Sequence, residues 1–108
     1  MKVEGAGYGL TTLLDAAARQ YSIKVTCGRC RDGSIFGGHA LWHLFKRKSW
    51  SDRLTAVGRH LCCGDCWRRD HLKARPALLR LCRDKPTVAD LRLPPEREWE
   101  AALSRYRR

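Results

Sequence analysis

Two Cys-x2-Cys turns, Cys27 with Cys30 and Cys63 with Cys66, constrain this chain more than any other feature. Two intervening residues let one tight turn aim both sulfurs the same way while backbone N–H groups face them. Two such turns supply the four corners of a tetrahedral site. Gly28 and Gly64 each follow the first cysteine of a turn and ease its backbone. The spacer between the turns is 32 residues, which requires a helical insertion. Closing so long a loop costs little extra, because the entropy grows only logarithmically with length. The pattern points to one structural Zn2+ held by Cys27, Cys30, Cys63 and Cys66. Three readings stay open beside it: a thiol–disulfide redox pair, which lacks the usual βαβ frame, an iron–sulfur cluster, and plain disulfides.

Cys62 adjoins Cys63, and neighbours on an extended chain point to opposite faces. Cys63 is therefore the expected ligand, and Cys62 paired with Cys66 the fallback. Cys82 follows Leu78-Leu79-Arg80-Leu81 and reads as a small buried apolar residue. His39 and His43 have the spacing of a zinc-protease motif, but Ala40 stands where a general-base Glu is needed. They read as helix-surface residues, with a second metal site as the alternative, and His60 or His71 as possible substitutes for a thiolate. No Ser-His-Asp set, apolar carboxylate pair or phosphate-cradling Gly loop is legible. The chain reads as no enzyme, with no small-molecule substrate.

At 108 residues there is room for one small domain, whose thin core invites support from a metal. An apolar fraction of 44% argues against wholesale disorder. Along the chain, Thr12 with Asp15 forms a capping-box pattern that opens a helix ending near Gln20, with Leu13, Leu14, Ala17 and Ala18 on one stripe. Ser22 to Cys27 alternates as a strand, and Asp32-Gly33 turns it back into Ser34-Ile35-Phe36. A helix is expected from His39 to Lys46, then a short one capped by Ser49 or Ser51 and stopped at Gly58. Arg59 to Cys62 reads as extended, and Trp67 to Leu72 as a helix that Pro76 interrupts or restarts over Ala77–Cys82. Pro94-Pro95 opens a terminal helix with Trp99, Ala102, Leu103 and Tyr106 on one side. The expected layout is a loose Gly-rich segment over 1–9, a metal-organised domain over 10–85, and an extension over 86–108.

The net charge is +11, with 19 of the 22 Lys and Arg from residue 29 onward. Arg predominates, and its planar fork suits phosphate. Such a balance implies a polyanion partner; the alternative is solvated Arg without a partner. Lys46, Arg47, Lys48 and Trp50 form one mixed basic and aromatic cluster, and Trp67, Arg68, Arg69, Lys73 and Arg75 form another. Such mixtures suit backbone contacts plus base stacking on DNA or RNA. Cations beside a tetrathiolate centre, formally −2, also neutralise it.

The runs Leu13-Leu14-Asp15-Ala16-Ala17, Val25-Thr26-Cys27-Gly28-Arg29-Cys30 and Leu61-Cys62-Cys63-Gly64-Asp65-Cys66 resemble small uncharacterised bacterial zinc-ribbon-like proteins over about residues 10–67. The resemblance implies a helix, a strand ending in a cysteine turn, a short helical insert and a second cysteine turn. It implies a fold and a metal, and no activity. The chain departs from that pattern at Cys62, where a basic residue is usual, and at Trp67, where Gly is common.

The expected fold is thus small α+β: a zinc ribbon-like pair of cysteine knuckles with a helical insertion and flanking helices. The leading function is nucleic-acid binding without catalysis. The alternative is an adaptor that docks on a larger protein through Trp99, Leu103 and Tyr106, and a thiol redox role ranks below both. With no run of about 20 apolar residues and no secretory pattern, the expected compartment is the cytosol, where paired cysteines more often bind metal than form disulfides.

Overall fold

The structure, a computed structural model, describes residues 1–5, 7 and 9–107. Its strands are β1 (Lys2–Glu4), β2 (Ser22–Cys27), β3 (Gly33–Gly37) and β4 (Pro76–Cys82), in the sheet order β1-β4-β2-β3. The helices are α1 (Leu13–Ala18), α2 (Gly38–Arg47), α3 (Leu54–Val57), α4 (Gly64–Asp70) and α5 (Glu96–Tyr106), with a 3₁₀ turn at Gly58–His60. The expected small α+β class holds.

Local chemistry sets the first half. The Thr12 hydroxyl accepts from the Asp15 N–H at 3.1 Å, and the Asp15 carboxylate accepts from the Thr12 N–H at 3.0 Å, a complete capping box. At the other end of α1, Gln20 takes a left-handed φ of 65°. Its N–H and that of Tyr21 bond back to Ala17 and Ala16, which feeds the chain directly into β2. Ile23, Val25 and Cys27 then point inward from alternate positions of β2. Asp32-Gly33 closes the hairpin, with Thr26 opposite Gly33.

The chain enters α2 straight from β3 at a crowded point. A Cβ on Gly38 would stand 2.4 Å from the Tyr21 carbonyl oxygen and 3.3 Å from the Ala17 Cα, so glycine lets α1 and α2 touch there. Neither Ser49 nor Ser51 is the N-cap of the following helix, although the Ser51 hydroxyl accepts from the Arg53 N–H at 3.4 Å. At φ 56° Ser49 closes α2, with the Ser49 N–H on Lys46 O and the Trp50 N–H on Phe45 O at 3.0 Å. Arg53 stands at the N-cap of α3, and Gly58 keeps a right-handed φ of −62° and begins the 3₁₀ turn.

Three other expectations are corrected. Residues 76–82 are a strand: β4 lies between β1, which it pairs in parallel, and β2, which it pairs antiparallel. Leu-rich sequence favours helix, but β2 offers an unpaired row of backbone groups on this side, and tertiary pairing overrides propensity. Pro76 is tolerated because it is the first residue of the strand, beside a register shift at Thr26/Cys27. The Gly-rich start contains β1. Finally, His43 is 7% exposed and His39 half-buried. α5 covers them: Trp99 packs edge-on against His39 at 4.2 Å and Trp42 at 5.3 Å, and Ala102 is 1% exposed.

Leu13, Ile23, Leu41, Phe45, Leu54, Val57 and Leu79 form the centre of the core, each fully buried or nearly so. Burying each stabilises the fold by roughly 1.5–3 kcal/mol. Past β4, the N–H groups of Thr87 and Val88 donate to Ile35 O, and Ile35 N–H donates to the Thr87 hydroxyl, which covers the outer edge of β3.

Candidate metal centre

The two cysteine pairs arrive on different supports. Cys27 ends β2 and Cys30 lies in the hairpin loop, where the Cys27 N–H bonds Asp32 O and Arg31 takes a left-handed φ of 67°. Cys63 is the N-cap of α4, and Cys66 lies in that helix's first turn. The second pair therefore rides on a helix, not on a hairpin tip. Residues 74–76 hold both pairs in place: Gly28 N–H donates to Arg75 O at 3.1 Å, and Cys63 N–H donates to Ala74 O at 2.9 Å. Glycine at 28 suits that close approach, since a Cβ would meet Arg75 O at 3.2 Å and the Ala77 Cβ at 3.3 Å. Gly64 meets nothing closer than the Arg68 guanidinium at 3.6 Å, so the two glycines do not share one role.

The four sulfurs converge. Cys27 Sγ lies 3.8 Å from Cys66 Sγ, Cys30 Sγ lies 3.6 Å from Cys63 Sγ, and all four fall within 4.8 Å of one another. A tetrahedral ion with metal–sulfur bonds of ~2.3 Å sets its ligands about 3.8 Å apart. The four cysteines thus form a cluster that can hold a metal ion, and Cys27 and Cys66 are buried.

Backbone donors prepare the sulfurs for charge. Cys30 N–H and Arg29 N–H reach Cys27 Sγ at 3.5 and 3.3 Å, and Cys66 N–H reaches Cys63 Sγ at 3.5 Å. The donation from Cys30 leads in bringing the Cys27 thiol down to about 6, against the effect of burial. The Asp32 N–H favours a thiolate at Cys30, but burial and the neighbouring thiols outweigh it and push Cys30 up to about 12. Four thiolates do not stand together without a cation, so an incoming ion displaces protons.

Cations ring the cluster. Arg29 Nη1 bonds Asp70 Oδ2 at 2.6 Å, tying the first turn to α4, and Asp70 first, then Cys66, hold its guanidinium above its ordinary value. For Arg69, desolvation is outweighed by the sulfurs of Cys30 and Cys66. Arg68 pairs with Asp65. Arg75 Nη1 donates to Leu61 O at 3.0 Å, a structural contact. Lys73 is exposed, as are Arg68 and Arg69, and Trp67 is 46% exposed. At the other basic cluster, Lys46, Arg47 and Lys48 are exposed, but Trp50 is half-buried and stacked on His60. Trp99, Leu103 and Tyr106 are half-buried, with Trp99 packed on the chain's own core. Arg29 was not among the expected site residues, although its place inside the first cysteine turn carries the signal.

Cys62 is exposed and outside the sulfur cluster, facing a cavity of about 680 Å³ bordered by Val25, Phe36 and Leu61. His60 and His71 are not ligands either: His60 covers Trp50, and His71, at φ 53°, closes α4. Cys82 is half-buried on β4.

No protein-family model, curated protein or solved structure matches this chain. The likeness to zinc-ribbon-like proteins accordingly rests on the four-cysteine cluster itself. No helix among the described residues is long and apolar enough to cross a membrane.

Proposed function

We propose that this protein is a non-catalytic zinc protein that binds nucleic acid. The observation that carries the metal is the set of four sulfurs, two from a hairpin and two from a helix start, at the separations of a tetrahedron. An all-thiolate, four-cornered donor set with backbone N–H support suits Zn2+, which asks for tetrahedral geometry and soft or borderline ligands. The ion would fasten α4 to the β2–β3 hairpin and leave no open position for a reaction, a structural role.

The nucleic-acid reading rests on charge. The chain carries +11, and Lys46, Arg47 and Lys48 enter none of the ion pairs found among the described residues. A reducing cytosol, where the thiols stay free for metal, is the compartment this reading assumes. The adaptor reading has less support, because Trp99 and Ala102 of α5 are spent on the chain's own core.

Elemental analysis of the purified chain and a salt titration of its binding to random-sequence DNA and RNA test the proposal together. One zinc per chain is expected, with affinity that falls linearly on a log–log plot against salt. A metal-free folded chain, or binding that ignores salt, contradicts it.

A further inference from the structure

The two basic clusters do not compete equally for a polyanion. Around α4, Arg29 and Arg68 are already paired with Asp70 and Asp65, and a tetrathiolate centre adds negative charge. Residues 33–64 differ: they hold Lys46, Arg47, Lys48, Arg53 and Arg59 against the single acid Asp52. Lys46 is committed to packing, its Nζ 5.2 Å over the Trp42 ring. Arg47 and Lys48 at the end of α2 and Arg59 in the 3₁₀ turn are exposed and enter none of the ion pairs among the described residues. A helix C-terminus favours cations at Arg47 and Lys48; that account does not reach Arg59.

What joins these two segments is a ring stack. The αL turn at Ser49 brings Trp50 back over Phe45, edge-on at 5.2 Å, and His60 lies flat on Trp50, 4.3 Å away with planes only 8° apart. Phe45 is fully buried, so the stack is anchored in the core. His60 is exposed, with its ring stacked on Trp50 and nearly perpendicular to Phe45 at 5.9 Å. An exposed ring anchored on the core, next in the chain to Arg59 and stacked on the residue two past Lys48, suits an unstacked nucleobase with phosphate contacts nearby.

We propose that the end of α2 and the 3₁₀ turn form the docking surface for single-stranded nucleic acid, with a base stacking on His60 and phosphates meeting Arg47, Lys48 and Arg59. This rests on the nucleic-acid reading above and adds to it a location, a strand state and two residues, Arg59 and His60.

The test uses the full, metal-loaded chain and fluorescence anisotropy with labelled oligothymidylate, oligouridylate and a mixed-sequence duplex, each variant being checked for unchanged metal content. K48E/R59E is expected to weaken binding of the single strands at least tenfold and to flatten the log–log salt slope by about 1.4, two phosphate contacts at about 0.7 each. His60→Ala is expected to weaken binding by about tenfold, a typical stacking loss, with the slope unchanged, and His60→Phe to restore it. Trp67→Ala and Lys73→Ala are expected to leave affinity within about twofold. If these two variants abolish binding and the others do not, this surface is wrong while the nucleic-acid reading stands. Tighter binding of the duplex, undisturbed by His60→Ala, also overturns the inference. If the wild-type chain binds none of the three probes, both readings fall.

Discussion

The sulfur of Cys30 stands 3.6 Å from that of Cys63, 33 positions further along the chain. Between them lie β3, α2, α3 and the 3₁₀ turn, whose core residues pack at a separate place, around Leu41, Phe45, Leu54 and Val57. The sulfur cluster therefore fastens the periphery of a domain whose centre is hydrophobic.

That arrangement predicts how the protein responds to metal removal. A chelator at neutral pH should first expose the amides of residues 28–33 and 61–75 to hydrogen exchange. Those of Ile23, Val25, Leu79 and Leu81 should be lost later, because β2 and β4 pair with each other and carry buried side chains. Exchange followed by mass spectrometry reads the order. Simultaneous loss everywhere would mean that the core does not stand without the ion.

Thiol labelling should separate the six cysteines into classes. In the metal-loaded protein Cys62, exposed and outside the cluster, should react fast, and half-buried Cys82 slowly. Cys27, Cys30, Cys63 and Cys66 should resist until a chelator is added. Peptide mapping after timed alkylation checks this, and early modification of Cys30 or Cys63 counts against a bound ion.

Gly38→Ala should be costly for so small a change. The new methyl would fall 2.4 Å from the Tyr21 carbonyl oxygen, in a contact between α1 and α2 where both partners are backbone. Overpacking of this kind costs about 1–3 kcal/mol. Urea denaturation would show the midpoint shift, with the metal content unchanged.

Acid should weaken α1 through Asp15. Burial raises its pKa, but the N–H and hydroxyl donors of Thr11 and Thr12 outweigh that and hold it below 3.8. A depressed folded pKa means that the stabilisation is present above the unfolded value, near 3.9, and is lost as pH falls through the folded value. Asp15→Asn should therefore destabilise the fold at neutral pH, and the difference from wild type should shrink below about pH 4. Thermal melts across pH read it; a gap that persists at acid pH would contradict the capping account.

What the sequence showed follows from how far apart the interacting residues lie. The Thr12–Asp15 cap, the Asp32-Gly33 turn and the Trp99–Ala102 stripe are set within a few residues and were legible. The cysteine pairs were legible because their chemistry is; Cys63 and not Cys62 joins the cluster, but as the N-cap of α4 after a 3₁₀ turn rather than at the end of an extended run. β4 was not: Leu78, Leu79 and Leu81 suit a helix in isolation, and only the open side of β2 makes them a strand. His39 and His43 misled for the same reason, since the helix that buries them begins at Glu96. The Trp50–His60 stack required knowing that the left-handed turn at Ser49 folds the chain back over α2.

The central proposal is that four sulfurs and nothing else hold one zinc ion. X-ray absorption at the zinc edge of the purified protein tests it most directly, because it reports the number, kind and distance of the ligands. The account predicts one zinc per chain with four sulfurs at ~2.3 Å. A nitrogen or oxygen ligand in the first shell, or no zinc in a folded protein, would contradict it.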